Sequence, residues 1–305
     1  MTQGPEVDVF VVGGVGIDVI VTVEELPLPA VDSVSVPPIR SYVGHTGNGV
    51  ALGCLALGLR TLFADVIGED PEGATIRAHY DAAGLEFRHL THPSGTRRSV
   101  NLVDRTGGRL SLYDGRHPFE LVPDPALWAE GIARSRHVHV SIMNWARHAL
   151  AAATAAGRTT STDLHDWDGE SDYHRDFAYG ADHVFVSAAA LGDRVDDVLA
   201  DILARGRAAV AVAMDGARGS RLAVPGRPVV AIPAVTLADR PVVDSNGAGD
   251  SYVAAFLRTV LAGGSWQRAA AAGSVAGAYS CGTAGTHTSF VDAAGLDAAL
   301  HPAGR

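Results

Sequence analysis

Val242 to Leu257 reads VVDSNGAGDSYVAAFL. An apolar strand end runs into the polar segment 244–250, and the spacing predicts a helix from about Ser251. The side chains at 247–249 are small, so their N–H groups can closely approach a ligand at a helix N-terminus, where an anion is favoured. The predicted anion hole consists of Gly247, Ala248 and Gly249. Asp250 stands beside it and can accept a proton from a substrate hydroxyl as that hydroxyl attacks a phosphate.

A plainer interpretation is a glycine turn in which Asp250 only caps the helix. A short Gly-x-Gly-Asp pattern does not separate the two interpretations. The longer pattern Asp-x-x-Gly-Ala-Gly-Asp, after a strand and before an Ala-rich helix, is much more specific for phosphate.

The composition excludes several classes of protein. The 305 residues include no lysine, so all 24 basic residues are arginines. A Walker A loop, a protein-kinase strand lysine and a Schiff-base site are therefore excluded. A net charge of −10 argues against nucleic acid as a partner, and the apolar runs fall short of the roughly 20 residues that cross a bilayer. Two cysteines far apart in sequence, Cys54 and Cys281, and the lack of a signal peptide favour a cytoplasmic protein.

Strands and helices alternate through most of the chain, which predicts an α/β fold with a mostly parallel sheet covered by helices. The predicted strands are Val7–Gly13, Ile17–Val23, Val34–Val43, Thr61–Ile67, Ser99–Asp104, Arg109–Tyr113, His137–Ile142, Ser161–Leu164, His183–Ser187 and Ala208–Ala213. The first helices are predicted at Asn48–Leu59, Pro71–Ala83 and about Trp145–Ala156. Prolines 37 and 38 indicate an edge or lid strand, and the turn at Thr106 indicates a hairpin.

With the motif at 244–250 the chain resembles the ribokinase-like (PfkB) carbohydrate kinase family. The segment DSNGAGD (244–250) is similar to the DTxGAGD signature of that family. VGHTGNGVA (43–51) is similar to its glycine/asparagine loop, and DVIGEDPEG (65–73) to its strand–GxDxxG–helix step. RLSLYDGR (109–116), YGADHVFVS (179–187) and the segment near Gly285 are similar to ketohexokinase-type members. The resemblance covers roughly residues 8 to 292.

The resemblance implies a ribokinase-like three-layer α/β/α sandwich with a small β-sheet lid. It implies one kinase domain over 1–305, with the lid formed by about 17–43 and 97–115. The implied reaction transfers the γ-phosphate of ATP to a primary hydroxyl of a small sugar, a ketohexose or a pentose. Mg²⁺ is expected with ATP, bound largely by phosphates and water. The lid implies a homodimer, by analogy with relatives.

The resemblance also assigns site residues. Asp250 matches the catalytic base, and residues 247–249 match the anion hole. The substrate residues would be Asp18, Gly44, His45 and Asn48, since a carboxylate and an amide suit vicinal hydroxyls. Asp18 is equally compatible with a turn residue, and Asn48 with a helix N-cap. The nucleotide residues would be Ser187, Gly216 and Gly219. A monovalent cation such as K⁺ would be held by oxygens of Asp244, Asn246, Ser280, Thr283, Gly285 and Ser289, several of them backbone carbonyls.

Three positions depart from the family pattern. Met214 replaces a threonine of the nucleotide turn, and Ala190 replaces the glutamate of an Asn-x-x-Glu motif. His45 stands where sugar kinases commonly carry Gly, Lys or Asn, which leaves the sugar open. Two alternatives therefore remain: a nucleoside kinase of the same family, and a sugar- or nucleotide-binding sensor with weakened catalysis.

Other polar residues carry weaker signals. His137 and His139 would face the same way on a strand, and a strand pair is favoured over a metal site because no third ligand is evident. Residues 163–168 are a substrate rim, a metal site or a solvated acidic loop. Arg97, Arg98 and Arg116 are interpreted as surface charges, although one of them could contact phosphate or sugar. Cys281 is interpreted as a buried small residue, since no paired base is evident.

Overall fold

The computed structural model describes residues 5–105 and 107–301. The strands in these residues are β1 (Val7–Val12), β2 (Gly16–Thr22), β3 (Arg40–Gly44), β4 (Thr61–Ile67), β5 (Glu86–Thr91), β6 (Arg98–Val103), β7 (Arg109–Asp114), β8 (Ser135–Ser141), β9 (Thr159–Asp163), β10 (His183–Ser187), β11 (Val210–Met214), β12 (Ser220–Ala223) and β13 (Val230–Ile232). The α-helices are α1 (Thr46–Ala56), α2 (Pro71–Ala83), α3 (Ala129–Arg134), α4 (Ala146–Ala155), α5 (Arg175–Gly180), α6 (Val195–Arg205), α7 (Ala248–Leu261), α8 (Trp266–Ser280) and α9 (Ala293–Leu300).

The large sheet has the strand order β13-β12-β11-β10-β9-β8-β1-β4-β5. The seven strands from β11 to β5 pair in parallel, and β12 and β13 add an antiparallel edge. The chain runs outward from β1 in both directions, to β4 on one side and to β8 on the other. Such a reversal of strand order opens a crevice at the carboxyl ends of the strands, where ligands bind in α/β sheets.

Helices cover both faces of the large sheet, so the predicted three-layer sandwich is confirmed. Alternate residues of β1 point to opposite faces, as the period of two in a strand requires. Phe10 and Val12 pack with α3 to α6, whereas Val9 and Val11 pack with α1, α2, α7, α8 and α9. Both clusters are almost fully buried, and burial of their apolar surface stabilises the fold.

A second sheet of four strands, β3-β2-β6-β7, forms the lid sheet. Its outer pairs are antiparallel and its central pair, β2 with β6, is parallel. Every residue of β7 is exposed, including Leu110 and Leu112. The single-domain organisation and the homodimer through this sheet stay predictions.

Several predicted boundaries were wrong. Residues 34–39 are not strand, because the two prolines cannot donate to a ladder and pairing begins only at Arg40. α7 begins at Ala248 instead of Ser251, because Gly247 adopts a left-handed φ of 79° and lets the helix start immediately after it. The strands β5, β12 and β13 and the helices α8 and α9 were not predicted. Thr106 of the predicted hairpin turn lies outside the described residues.

Candidate active site

The polar residues of interest converge where β1 ends and α1 begins. Glycines allow the two backbones to touch there. A Cβ on Gly47 would lie 1.9 Å from the carbonyl oxygen of Gly13, and a Cβ on Gly14 would lie 2.7 Å from the amide nitrogen of Gly47. The N-terminus of α1 is therefore held directly against the carboxyl edge of the sheet, beside the N-terminus of α7.

The predicted anion hole opens α7. The amide of Ala248 donates to Ser245 O at 3.2 Å, whereas the amides of Gly247 and Gly249 donate to no described residue. A free amide at a helix N-terminus is an orphan donor with the positive end of the helix dipole behind it. The structure thus leaves two of the three predicted donors available to an anion.

Asp250 lies in the first turn of α7 and is only 6% exposed. Its Oδ2 lies 2.7 Å from Nε2 of His287, and its Oδ1 has no hydrogen-bond partner among the described residues. The side chain of His287 is also buried, and its backbone has a left-handed φ of 55°. Small residues make room for the ring, since a Cβ on Gly49 would lie 2.3 Å from Nε2 of His287. No sequence pattern pointed to His287.

A hydrogen-bond chain determines which nitrogen of His287 carries the proton. Tyr80 donates its hydroxyl to Oδ1 of Asn48 at 2.8 Å. The amide nitrogen of Asn48 donates to Val43 O at 3.1 Å and lies 3.0 Å from Nδ1 of His287. Because that nitrogen can only donate, Nδ1 accepts and Nε2 carries the hydrogen. His287 therefore donates to the carboxylate of Asp250.

Asn48 is fully buried, and both ends of its amide are engaged inside the protein. A sugar contact by Asn48 would require this network to open. Its expected role in binding sugar stays a prediction.

A second carboxylate, Asp163 at the end of β9, faces the same region. Its Oδ2 lies 4.0 Å from the position of a Cβ on Gly249, and the residue is 5% exposed. Burial raises the pKa of Asp163, and the negative charge of Asp250 raises it further. Asp163 forms no ion pair in the part of the chain that the structure describes. Of the three interpretations of residues 163–168, the solvated loop does not apply to this buried residue.

Asp18 on β2 lies beside the turn into α1. Its Oδ2 accepts the amide of His45 at 3.2 Å, and its Oδ1 accepts the hydroxyl of Ser99 and lies 3.3 Å from Nε2 of His45. Burial alone would raise the pKa of Asp18, but His45 and Ser99 outweigh burial and hold the pKa below its usual range. The carboxylate is thus kept charged at the lid sheet.

Two backbone features keep Asp18 and His45 in place. A Cβ on Gly44 would lie 2.1 Å from Oδ2 of Asp18, so only glycine fits at position 44. His45 adopts a φ of 69° and a ψ of 159°, a region that residues with a side chain rarely occupy. Strain of this kind persists where the surroundings enforce it, here through the two contacts between His45 and Asp18.

The predicted nucleotide residues lie farther along the same sheet edge. Ser187 ends β10 opposite Met214 of β11, and the methyl group of Met214 lies 3.4 Å from the position of a Cβ on Gly249. Gly216 and Gly219 form the turn after β11, with φ values of 54° and 91°. The structure brings these residues to the side of the anion hole, and their contact with a nucleotide stays a prediction.

The six predicted cation ligands also come together, but an arginine lies among them. The carboxylate of Asp244 accepts the amides of Asn246 and Gly285 at 3.0 Å each. Arg240 donates to the hydroxyls of Thr283 at 2.8 Å and Ser289 at 2.6 Å. The remaining member, Ser280, donates its hydroxyl to Gly277 O at 2.9 Å. The sequence pattern did not predict the position of Arg240.

The interpretation of Arg97 as a surface charge was wrong. Arg97 is 2% exposed and forms an ion pair with the fully buried Asp65, which also accepts the amide of Val15 at 2.7 Å. Arg98 and Arg116 pair with Glu72 and Asp114. The arginine that reaches the loop before the anion hole is Arg109, which donates from the lid sheet to Oδ1 of Asn246 at 2.9 Å.

His137, His139 and His183 form a buried group, the histidine cluster. His137 and His139 both contact the hydroxyl of Ser161, and the rings of His137 and His183 stack 5.3 Å apart. Burial lowers the pKa of His139 to about 3 and of His183 to about 4, and it lowers that of His137 strongly. The strand-pair interpretation is confirmed. Cys281, in contrast, is only half-buried.

Known proteins resemble nearly the whole chain. A model of the pfkB family of carbohydrate kinases matches residues 7–293. The acarbose 7(IV)-phosphotransferase of an Actinoplanes species is 45% identical over 297 residues, which cover 97% of this chain and 98% of that protein. The solved structure of the microbiome-derived acarbose kinase Mak1 is 62% identical, with a TM-score of 0.90, and the match covers 96% of this chain and 99% of that one.

More distant structures share the fold alone. Arabidopsis thaliana ribokinase, solved with ribose and ATP, has a TM-score of 0.79 at 20% identity over 98% of this chain and 99% of its own. The ribokinase-like fold predicted above is therefore confirmed. Within the described residues, no helix has the length and apolar character needed to span a membrane.

Proposed function

This chain belongs to the pfkB family of carbohydrate kinases, and from that premise we propose that it phosphorylates a hydroxyl of acarbose. It is a phosphotransferase with an alcohol group as acceptor, and ATP is the phosphate donor of its family. The observation that supports acarbose is that two relatives with that named activity are 45% and 62% identical over nearly their full lengths. The ketohexose or pentose implied by the resemblance is the second candidate.

The surroundings of Asp18 suit a substrate of several linked rings. The ring of Tyr113 lies 5.7 Å from that of His45, and Tyr113 is 55% exposed. Aromatic faces cover the apolar faces of sugar-like rings while a carboxylate accepts their hydroxyls. We assign orientation of the acceptor to Asp18 and His45.

Asp250 acts as the general base. Oδ1 is free to take the proton of the acceptor hydroxyl, while Oδ2 is held by His287. As the hydroxyl oxygen bonds to the γ-phosphorus and the bond to the β-phosphate oxygen breaks, negative charge spreads over the transferred group. The amides of Gly247 and Gly249 stabilise that charge, with Ala248 completing the turn that presents them.

His287 positions Asp250. A single donor on Oδ2 restricts rotation of the carboxylate and directs Oδ1 towards the acceptor. Asn48 in turn donates to Nδ1 of His287 and fixes the orientation of the ring, so that Nε2 faces Oδ2 of Asp250.

Asp163 is the residue that would hold Mg²⁺ at this site. It is a buried carboxylate without an ion-pair partner among the described residues, and oxygen ligands suit Mg²⁺. When bound with ATP, Mg²⁺ supplies positive charge that offsets the phosphates. Asp163 itself would help to orient the metal from the sheet side of Gly249.

A kinase panel tests the proposal. ATP consumption is measured with acarbose, fructose, ribose and adenosine, and the product is identified by mass spectrometry. We expect acarbose to have the highest kcat/KM. Turnover of ribose or fructose alone would favour the small-sugar kinase, turnover of adenosine the nucleoside kinase, and ligand binding without ATP consumption the sensor. Asp250→Asn is expected to retain binding and lose turnover; full activity in that variant would overturn the mechanism.

A further inference from the structure

Arg240 lies among the oxygens that the resemblance assigns to a monovalent cation. We infer that the guanidinium of Arg240 takes the place of that cation, so that the protein needs no K⁺. The part of this inference that concerns catalysis rests on the proposed function. The part that concerns ion binding does not.

Arg240 makes the contacts expected of a positive charge held permanently at this site. Nε donates to Tyr279 O at 2.6 Å, and Nη2 donates to the hydroxyls of Thr283 and Ser289 at 2.8 and 2.6 Å. The guanidinium carbon lies 3.8 Å from the centroid of the Tyr279 ring, where the face of the ring attracts positive charge. Gly282 leaves room for the side chain, since a Cβ there would lie 2.3 Å from Cγ of Arg240.

The predicted ligands do not fit a second cation. Thr283 and Ser289 already direct oxygen lone pairs at Nη2, and a cation bound by the same oxygens would lie a few ångströms from a permanent positive charge. The Asp244 carboxylate accepts from Asn246 and Gly285, and Ser280 donates to a helix carbonyl. Every side chain of the predicted set is thus engaged within the protein.

Arg240 also holds together the two segments that a bound cation would hold together. Arg240 lies four residues before the segment 244–246, which leads into the anion hole. Its partners lie on the segment 279–289, which contains His287. The guanidinium ties the two segments together through charge-assisted hydrogen bonds, which are the stronger kind. The anion hole and the partner of Asp250 are thereby held in place without a dissociable ion.

Ion dependence tests the inference on the full-length protein. The protein is exchanged into tetramethylammonium chloride, and its melting temperature and kinase activity are followed as KCl replaces that salt at constant ionic strength. For the wild-type protein we expect no change in melting temperature and an activity change of less than about twofold. A rise in melting temperature with KCl, or activation of about tenfold or more, would overturn the inference; tenfold corresponds to about 1.4 kcal/mol.

Variants separate charge from packing. Arg240→Met should lose activity on the order of tenfold in tetramethylammonium, because it loses charge-assisted bonds, and it should become responsive to KCl. Arg240→Lys should stay closer to the wild type. Arg207→Met removes an arginine that pairs with Asp182 at the opposite edge of the sheet, and it should change neither property. Equal activity of Arg240→Met and wild-type protein in tetramethylammonium would contradict the inference.

Two possible failures are distinguishable from failure of the inference. If no sugar of the panel is phosphorylated, the proposed function fails, while the melting-temperature titration still reports whether K⁺ binds. If Arg240→Met does not fold, the wild-type titration and Arg240→Lys still decide the question. K⁺-dependent stabilisation in either of those proteins would refute it.

Discussion

Removal of the His287 side chain should slow phosphoryl transfer without weakening nucleotide binding. His287 donates to Oδ2 of Asp250 at 2.7 Å, and this is the only hydrogen bond to the Asp250 carboxylate among the described residues. In His287→Ala the carboxylate loses its donor and can rotate away from the acceptor hydroxyl. The anion-hole amides stay in place, because they belong to the backbone of the N-cap and the first turn of α7.

The size of the effect follows from the type of bond. A hydrogen bond to a charged group contributes about 1.5–3 kcal/mol, and about 1.4 kcal/mol corresponds to a factor of ten. If that energy is expressed when the base accepts the proton, kcat should fall roughly 10- to 150-fold. The loss cannot reach that of Asp250→Asn, since the base itself remains.

Steady-state kinetics with the substrate identified by the panel measure the effect. We expect kcat to fall, KM for ATP to stay within about twofold, and His287→Gln to recover part of kcat, because its amide can donate to the same oxygen. His148→Gln, at an exposed histidine of α4, is the matched control. A wild-type kcat in His287→Ala would refute the positioning role of His287, and so would a change in KM for ATP alone with an unaltered melting temperature.

Three further predictions address other parts of the molecule. The three histidines of the histidine cluster have lowered pKa values in the folded protein, so below the ordinary histidine pKa of 6.5 the unfolded chain binds more protons than the folded one. The free energy of unfolding should therefore fall by about 1.4 kcal/mol per histidine at one pH unit below 6.5. Urea unfolding at pH 7.5 and at pH 5.5 measures this difference. Gly44→Ala places a Cβ against Oδ2 of Asp18 and should cost about 1–3 kcal/mol of stability and raise KM for the acceptor; unchanged unfolding and KM would contradict the steric argument. Leu112→Glu, on the exposed face of β7, should convert the predicted homodimer into a monomer in light scattering, and a monomeric wild-type protein would disprove the dimer.

Much of the fold was predictable because its signals are local. The buried run of β1 and the helix of 71–83, with Asp70 as its N-cap, follow from residues that are neighbours in sequence. The strands β12 and β13 were missed because they are short antiparallel edge strands and carry little periodicity. The segment 34–39 was predicted as strand from its extended composition, but pairing needs a partner as well as an extended chain.

The sequence by itself determined the class of protein and predicted the position of the phosphate chemistry. A glycine-rich turn before an Ala-rich helix presents backbone donors wherever it occurs, and the carboxylate at 250 follows it by a fixed number of residues. The absence of lysine is equally independent of the fold, and it leaves backbone amides and arginines to handle phosphate.

Only the tertiary structure decided which distant residues serve that turn. His287 meets Asp250 across 37 residues, Asn48 of α1 contacts His287, and Tyr80 of α2 contacts Asn48. Arg240 meets Ser289 across 49 residues, and Arg97 is buried in an ion pair with Asp65. These pairings arise because packing of helices on both faces of one sheet brings remote segments to its carboxyl edge. A local pattern contains no information about such contacts, since each partner is specified by a different part of the chain.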